Sequence, residues 1–330
     1  MMTNHSLRKQ CNLLPGSLIT GKWNKNPYRI QQELGYGANG IVYLAESNNG
    51  QVALKLSDDY SSISSEMNIL KSFSKVQGHS LGPSFFEADD WLKNGRPIPF
   101  YVMEYIKGEG YSAFIEQKGD SWVGVLMLQL LSSLDELHKQ GWAFGDLKPD
   151  NLIVTIPAYK IRCIDVGGTT LFGRSIKEFT EFFDRGYWGM GSRKADPQYD
   201  LFAVAMIIIN SFYPKRFSKK GDGYKQLNEM IKQKKGLHPY SKVLDRAVKG
   251  QYHSADEMRH DLLGILNRQP EHKKVEAQST FQGKKNNNST SQTRSMRKKR
   301  KKKKRGLLET LILAIFVSIL YVLYVYNQFL

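Results

Sequence analysis

Residues 144–154 read FGDLKPDNLIV and residues 163–167 read CIDVG, and these two stretches carry the most informative pattern in the chain. The first places a carboxylate, an ammonium group and an amide at Asp146, Lys148 and Asn151, directly before an apolar run. The second places another carboxylate, Asp165, after two apolar residues. Carboxylate and amide oxygens are hard ligands of the kind that Mg²⁺ prefers. The two stretches therefore hold the groups that phosphate and metal chemistry requires.

A glycine-rich segment lies upstream, where residues 35–42 read GYGANGIV between two predicted strands. Glycine lets a backbone approach phosphate oxygens without a Cβ in the way. A Rossmann site would open a helix directly after the glycines, and a P-loop would need Gly-Lys followed by Ser or Thr. The segment has neither feature, and alone it suits an ordinary glycine-rich hairpin equally well.

A lysine sits in the middle of the next predicted strand, where residues 52–55 read VALK. A solitary ammonium group is costly to bury, so Lys55 needs an anionic partner. Glu66, on the core edge of a predicted helix at 61–75, can supply a carboxylate, and phosphate groups can supply further negative charge. Such a pair on a surface would contribute little to stability. Its meaning therefore depends on the motifs that follow.

The hydrophobic pattern changes from strands to helices along the chain. Short runs rich in β-branched and aromatic residues predict strands, and apolar residues at helical spacing predict helices. The predicted strands are at 28–33, 41–45, 51–56 and 100–105, and the clearest helices after 61–75 are at 123–137, 201–212 and 255–266. The first 27 residues are polar, and we expect a loosely ordered leader there.

The composition is that of a globular protein, with 41% hydrophobic and 24% charged residues. Cys11 and Cys163 are the only cysteines, and they indicate neither a disulfide framework nor a metal cluster. A reducing compartment is the simplest inference, with Cys163 acting as a small buried hydrophobe. The N-terminus does not have the charged and apolar regions of a signal peptide, so export of the main domain is not expected.

The order and separations of these motifs resemble those of the bacterial eukaryotic-type (Hanks-type) serine/threonine protein kinases. The resemblance covers residues 28–266, and residues 252–262, YHSADEMRHDL, resemble the closing helix of bacterial members. It implies a bilobal α+β fold over residues 28–268, with a β-rich N-lobe and a helical C-lobe. Asp200 resembles the buried residue that braces the catalytic loop. More narrowly, residues 15–23 and the C-terminal segment resemble the membrane-anchored YabT-type kinases of Bacillus relatives, which implies a role in sporulation.

The resemblance implies transfer of the ATP γ-phosphoryl group to serine and threonine hydroxyls of protein substrates, with self-association for trans-autophosphorylation. Asp146 would orient the substrate hydroxyl, and Lys148 would stabilise charge on the transferred group. Asn151 and Asp165 would hold Mg²⁺, or Mn²⁺ in its place. ATP would be bound by a set of residues from the glycine-rich loop, the lysine strand, the helix glutamate and the hinge: Leu34, Gly35, Gly37, Gly40, Val42, Ala53, Lys55, Glu66, Met103, Glu104 and Ile106.

Three departures from the family pattern leave alternatives open. Phe144 and Gly145 stand where the family usually has His-Arg, and that Arg commonly pairs with a phosphate on the activation loop. Val166 replaces the usual Phe, and residues 184–188 stand where Ala-Pro-Glu is usual. The alternatives are a pseudokinase scaffold and a kinase acting on a small molecule or lipid. The predicted phosphosites, which we do not expect to activate through the missing Arg, are Thr169, Thr170, Ser175 and Thr180.

The last 60 residues differ sharply from the rest. Residues 271–330 contain 14 Lys and Arg but three Asp and Glu, a net charge of +11 out of +17 for the chain. We predict a disordered basic linker at 269–305, because it has few apolar groups to bury. Residues 307–326 contain one charged residue, Glu309, and are long enough to span a bilayer. The sequence thus predicts a transmembrane helix at 306–326 and an external tail at 327–330.

The basic flank predicts the topology and two partners. Positive residues favour the cytoplasmic side, so we expect a single-pass anchor in the cell membrane and a cytoplasmic kinase domain. Anionic lipid headgroups attract such a flank, and a polycation also binds DNA without sequence preference. The basic residues concerned are Lys284, Lys285, Arg294, Arg297, Lys298, Lys299, Arg300, Lys301, Lys302, Lys303, Lys304 and Arg305.

Overall fold

The computed structural model describes residues 11–37, 40–73 and 81–267. Its first half is a six-stranded antiparallel sheet with one helix, α1 (Tyr60–Phe73), between the fourth and fifth strands. The spatial order is β1-β2-β3-β4-β6-β5. The strands are β1 (Leu18–Thr20), β2 (Pro27–Gly37), β3 (Gly40–Ser47), β4 (Gly50–Leu56), β5 (Phe85–Lys93) and β6 (Arg96–Glu104). The predicted strands at 28–33, 41–45, 51–56 and 100–105 are confirmed as β2, β3, β4 and β6.

Helix α1 packs as its spacing predicts. Ile63 and Leu70 are buried in the main core, and Met67 is partly buried against it. These residues recur every three or four positions, so they form one apolar face. The opposite face carries hydroxyl and amide side chains to solvent. The helix therefore lies against the sheet and brings Glu66 towards β4.

The second half is helical, with five short strands beside the junction of the two halves. The helices are α2 (Tyr111–Lys118), α3 (Ser121–Lys139), α4 (Arg185–Trp188), α5 (Pro197–Ser211), α6 (Gly223–Gln233), α7 (Ser241–Val248) and α8 (Ala255–Asn267). The strands are β7 (Gly108–Gly110), β8 (Trp142–Ala143), β9 (Leu152–Thr155), β10 (Ile161–Cys163) and β11 (Thr170–Leu171). The predicted helices at 123–137, 201–212 and 255–266 are confirmed as α3, α5 and α8.

Helix α5 forms the centre of the helical lobe. Every residue from 199 to 209 is buried, which explains why its sequence is apolar on all sides. Asp196 caps its first turn by accepting a hydrogen bond from the Tyr199 N–H, and Pro197 occupies the position where a missing N–H costs least. Cys163 is fully buried in the same core, as predicted. Through Asp200 the helix also contacts the backbone at Phe144 and Gly145.

The prediction of a loosely ordered leader is wrong for residues 11–27. Strand β1 pairs with β2, and Gly21 forms a bridge with Trp91 of β5, so the segment connects the two outer strands of the remaining sheet. Cys11 is fully buried, and burial raises the pKa of its thiol to about 11. The polar composition did not reveal this packing, in which strand pairing accompanies the burial of Cys11 and Ile19. Residues 1–10 lie outside the described residues.

The predicted linker, transmembrane helix and external tail also lie outside the described residues. Within residues 11–37, 40–73 and 81–267, no helix combines the length and the apolar character that a membrane crossing needs. The span predicted at 306–326 stays a prediction.

Candidate active site

A cleft of about 590 Å³ lies between the sheet and the helical lobe. It collects nearly all the predicted site residues: Leu34, Gly35, Gly37, Gly40, Val42, Ala53, Lys55, Met103, Glu104, Ile106, Asp146, Lys148, Asn151 and Asp165. Another hollow, of about 650 Å³, lies between α3 and α8 and contains none of them. The cleft is therefore the candidate site, because it alone of the two brings the predicted chemistry together.

The predicted pair of Lys55 and Glu66 is present and buried. Lys55 Nζ lies 2.8 Å from Glu66 Oε1 and 2.6 Å from Oε2. Tyr101, opposite Lys55 on β6, donates its hydroxyl to Glu66 Oε2 at 2.6 Å. Burial, followed by the adjacent Glu66 carboxylate, raises the pKa of Tyr101 well above its usual range, so Tyr101 stays a hydrogen-bond donor. Tyr101 was not foreseen, because only the register of β4 and β6 brings it to the pair.

The loop that carries Asp146 is held by Asp200, as the resemblance implied. Asp200 is fully buried and accepts hydrogen bonds from the N–H groups of Phe144 at 2.7 Å and Gly145 at 2.9 Å. His138 Nε2 lies 2.9 Å from the same carboxylate. A buried carboxylate needs such partners, since its desolvation is otherwise costly. The backbone on the N-terminal side of Asp146 is thereby fixed to α3 and α5.

Asp146 lies at the centre of a small polar network. Its carboxylate forms an ion pair with Lys148, and its backbone carbonyl accepts a hydrogen bond from Asn151 Nδ2 at 2.9 Å. Because the amide nitrogen of Asn151 is engaged, its amide oxygen is the atom that can bind a cation. Asp165 is exposed, and its Oδ1 accepts the Gly167 N–H at 3.0 Å.

This donor set fits a Mg²⁺ ion that is shared with phosphate groups. Asp165 offers a carboxylate and Asn151 an amide oxygen at the lining of the cleft, and no group of three or more His, Cys, Asp or Glu residues suited to a metal occurs among the described residues. Mg²⁺ usually takes one or two protein carboxylates and completes its coordination with phosphate oxygens and water. The residues present therefore fit a nucleotide-bound metal rather than a dedicated protein cage.

Thr180 belongs to the network, although the sequence of the chain predicted it only as a phosphosite. Its hydroxyl lies 3.3 Å from Asp146 Oδ1 and 3.3 Å from Lys148 Nζ, so it can donate to the first and accept from the second. The chain separates Thr180 from Asp146 by 34 residues, and nothing in the sequence marks the contact. Thr180 therefore connects the two charged groups, and its phosphorylation stays a prediction.

The prediction of phosphorylation at Thr169 and Thr170 does not fit the structure. Both residues are buried, and the Thr170 hydroxyl donates a hydrogen bond to the Gly168 carbonyl at 2.8 Å. A kinase cannot reach these hydroxyls in this conformation. Ser175 is exposed, and its phosphorylation stays a prediction.

The hinge after β6 is tied to the strand that leads to Asp165. Arg162 of β10 donates to the Glu104 carboxylate at 3.1 and 2.9 Å and to the Gly82 carbonyl at 2.7 Å. Partial burial opposes ionisation of Glu104, but the hydrogen bonds from Arg162 and Ser84 lower its pKa overall. The Glu104 side chain is thus occupied by Arg162 and Ser84. Sequence reasoning missed Arg162, which is 58 residues away along the chain.

Residues 184–188, which stand where Ala-Pro-Glu is usual, form α4 and its cap. Asp184 is fully buried and accepts hydrogen bonds from the N–H groups of Gly186 and Tyr187. Its carboxylate also accepts from Arg193 Nε at 2.8 Å and from the Tyr199 hydroxyl at 2.9 Å. The hydrogen bonds of Asp184 therefore connect α4 to Arg193 and to Tyr199 of α5.

Comparisons with known proteins agree with this geometry. The protein kinase domain family model matches residues 28–284. Serine/threonine-protein kinase YabT of Bacillus subtilis (strain 168) is 57% identical over 265 residues, which cover 80% of this chain and 78% of YabT. Serine/threonine-protein kinase PknG of Mycolicibacterium smegmatis is 25% identical over 276 residues, which cover 77% of this chain and 34% of PknG.

A solved structure, that of vaccinia related kinase 3, superposes with a TM-score of 0.58 at 16% sequence identity and covers 80% of this chain and 95% of its own. At that identity the likeness establishes the bilobal kinase fold. The family match and the identity with YabT go further. This chain belongs to the protein kinase family, as a serine/threonine kinase of the bacterial type.

Proposed function

We propose that the cleft is a working catalytic site that transfers the γ-phosphoryl group of ATP to serine and threonine hydroxyls of proteins. The observation that supports this most strongly is the convergence of Lys55, Asp146 and Asp165 on one cleft. The Lys55–Glu66 pair is formed, and Asp146 and Asp165 face the same space. A site held for binding alone would not need the two carboxylates so placed.

Each residue then has a physical role. Asp146 orients the substrate hydroxyl and accepts its proton, since a carboxylate within hydrogen-bond reach can do both. Lys148 stabilises negative charge on the group in transfer, and Thr180 holds both side chains in position. Lys55, fixed by Glu66, binds the nucleotide phosphates. Catalysis rests on positioning and electrostatics rather than on a covalent enzyme intermediate.

Asn151 and Asp165 would hold Mg²⁺, and Mn²⁺ offers the same preference for oxygen ligands. When bound, the ion neutralises phosphate charge and fixes the phosphate geometry. The adenine would lie against Val42, Ala53 and Met103, with hydrogen bonds to the backbone of the hinge. These apolar side chains all line the cleft.

Labelled ATP with Mg²⁺ and a protein substrate tests the proposal. Lys55→Ala and Asp146→Asn should each lower the transfer rate by roughly a hundredfold or more, because each removes a group that acts on the reacting atoms. A Lys242→Ala variant, changed at an exposed position on α7, serves as the matched control. If the wild-type chain labels protein no faster than the two site variants do, the proposal is wrong.

A pseudokinase scaffold is the second candidate, and the observation that favours it is the replacement of His-Arg by Phe144-Gly145. It predicts nucleotide binding without transfer, which the same assay detects when combined with a thermal-shift measurement. A kinase for a small molecule or lipid would instead label those compounds and not protein. Adding lipid vesicles to the assay separates that outcome.

We also propose that a C-terminal helix at 306–326 anchors the chain in the cell membrane with the kinase domain on the cytoplasmic side. The support is the sequence pattern of a basic flank followed by 20 residues with a single charge. The flank would attract anionic lipids and could gather molecules on DNA for trans-autophosphorylation. A role in sporulation rests on the resemblance to YabT-type kinases alone.

A further inference from the structure

The loop between α5 and α6 is strongly basic. Residues 213–220 contain Lys215, Arg216, Lys219 and Lys220 and have no acidic residue, and the first acidic residue after them, Asp222, caps α6. Lys215, Arg216 and Lys220 are exposed. Lys219 is half-buried because its ammonium group donates to the Tyr187 carbonyl at 2.9 Å. We refer to residues 213–220 as the basic loop.

Aromatic packing fixes the basic loop against the end of the activation segment. The Phe217 ring centroid lies 5.1 Å from that of Phe182, 5.8 Å from that of Trp188 and 5.3 Å from that of Tyr213. Edge-to-face contacts of this kind add specific stabilisation beyond the burial of area. These contacts therefore hold the basic loop against the segment that contains Phe182 and Trp188.

Arg216 reaches from this loop to the catalytic segment itself. Its Nη2 lies 2.5 Å from Asp150 Oδ2, and its guanidinium carbon lies 5.0 Å from the centroid of the buried Phe183 ring. Asp150 is two residues after Lys148 and directly before Asn151. Phe183 is three residues after Thr180, which contacts Asp146. Arg216 thus contacts both the segment that carries Lys148 and the segment that carries Thr180.

The ion pair of Arg216 and Asp150 is exposed enough for either residue to change partner. The side chains are 40% and 63% exposed, and a surface pair of this kind contributes little to stability. A carboxylate from another chain can replace Asp150 as the partner of Arg216 at small cost. An incoming Arg or Lys would have to compete with Arg216 for Asp150 and would meet three further lysines. The exposed acidic residues nearest in sequence to Phe182 and to the basic loop are Glu181 and Asp222, whereas the basic loop contains four basic residues.

We propose that the basic loop, through Arg216, binds an acidic residue of the protein substrate, so that the kinase prefers serine and threonine sites flanked by Asp or Glu. The proposal rests on the proposed function and adds its substrate class. Arg suits this role because its planar guanidinium binds a carboxylate through two parallel hydrogen bonds. The neighbouring lysines contribute longer-range attraction that salt screens.

Three serine peptides of equal length, with acidic, neutral or basic flanking residues, test the proposal with the full-length chain in detergent. The ratio of kcat/KM for the acidic to the neutral peptide should be about fivefold in the wild-type chain, as an exposed charge pair allows. Arg216→Glu should reverse the preference towards the basic peptide. Asp150→Asn should increase the acidic preference, because it removes the competing carboxylate. Raising the salt concentration should lower the ratio.

The control is Lys242→Glu, which makes the same charge reversal at an exposed site on α7 and should keep the wild-type ratio. Equal kcat/KM for the three peptides in the wild-type chain, or an unchanged ratio in Arg216→Glu, would overturn the proposal. The neutral peptide distinguishes a failure of the proposed charge preference from a failure of the proposed kinase activity. Its phosphorylation without any charge preference would leave the proposed kinase activity standing, whereas labelling of none of the peptides would count against the activity itself.

Discussion

At the scale of single residues, Gly145 accounts for the departure from the usual His-Arg. Its φ is +86°, and a Cβ at this position would lie 2.6 Å from the Gly168 carbonyl oxygen and 3.4 Å from Ile176 Cδ1. A contact below 3 Å with a backbone atom forces a shift of the backbone. The start of the activation segment therefore packs directly on the catalytic loop, with no room for a side chain between them.

Gly145→Ala should consequently destabilise the chain more than Gly141→Ala. Gly141 has a similar φ of +80°, but a Cβ added there would meet no atom within 4 Å, so it measures the backbone strain alone, about 1 kcal/mol. The clash at Gly145 should add a further loss of about 1 kcal/mol or more. Urea unfolding of both variants measures the difference in free energy of unfolding. Equal losses would show that the Gly168 contact is not tight in solution.

At the scale of elements, the Asp89 carboxylate is one of the groups that hold the segment at 11–27 in place. Asp89 of β5 is 7% exposed and accepts hydrogen bonds from the N–H groups of Trp23 at 2.9 Å and Asn24 at 2.7 Å. Burial opposes ionisation of Asp89, but these backbone donors lower its pKa below the ordinary 3.8. A Cβ on Gly21 would lie 2.3 Å from Asp89 Oδ2, so the segment also needs glycine here.

Asp89→Asn should therefore lower the free energy of unfolding by about 1–3 kcal/mol at neutral pH, since it weakens bonds to a charged acceptor. A carboxylate with a lowered pKa contributes its full stabilisation above its unfolded pKa and loses it as the pH falls through the folded value. The gap in the free energy of unfolding between wild type and variant should thus be constant above about pH 5. It should shrink as the pH falls below the ordinary pKa of 3.8. Asp58→Asn, at an exposed position, is the control. A gap that persists unchanged to about pH 2 would contradict the assignment.

The same elements show what the sequence could predict. Apolar runs located β2, β3, β4 and β6, and helical spacing of apolar residues located the main helices, because these elements bury their apolar side chains. Motif spacing located Lys55, Glu66, Asp146 and Asp165, because metal and phosphate chemistry restricts the residue types. The packed segment at 11–27 and the Thr180 and Arg216 contacts were missed. Each depends on polar groups that are 34 to 66 residues apart and meet only after folding.

At the scale of the whole molecule, most of the net charge lies beyond the last described helix. Residues 271–330 carry +11 of the total +17, whereas α8, the last described helix, ends at residue 267. The proposed anchor and the proposed DNA contact act through different physical forces. Hydrophobic insertion is insensitive to salt, but counterion release makes binding to DNA fall steeply as salt rises.

Three chains separate these forces: the full-length chain, one ending at Arg305 and one ending at Asn267. The full-length chain should remain with membranes in about 0.5 M salt, where charge interactions are screened over a few ångströms. The chain ending at Arg305 should leave membranes under that condition and should bind duplex DNA at low salt. The logarithm of its affinity for DNA should fall linearly with the logarithm of the salt concentration. The chain ending at Asn267 should neither associate with membranes nor bind duplex DNA, because it lacks both the apolar run and the basic run. If salt released the full-length chain from membranes, the proposed anchor would be wrong. If the two shortened chains bound DNA equally well, the DNA contact would lie in the kinase domain instead of the basic run.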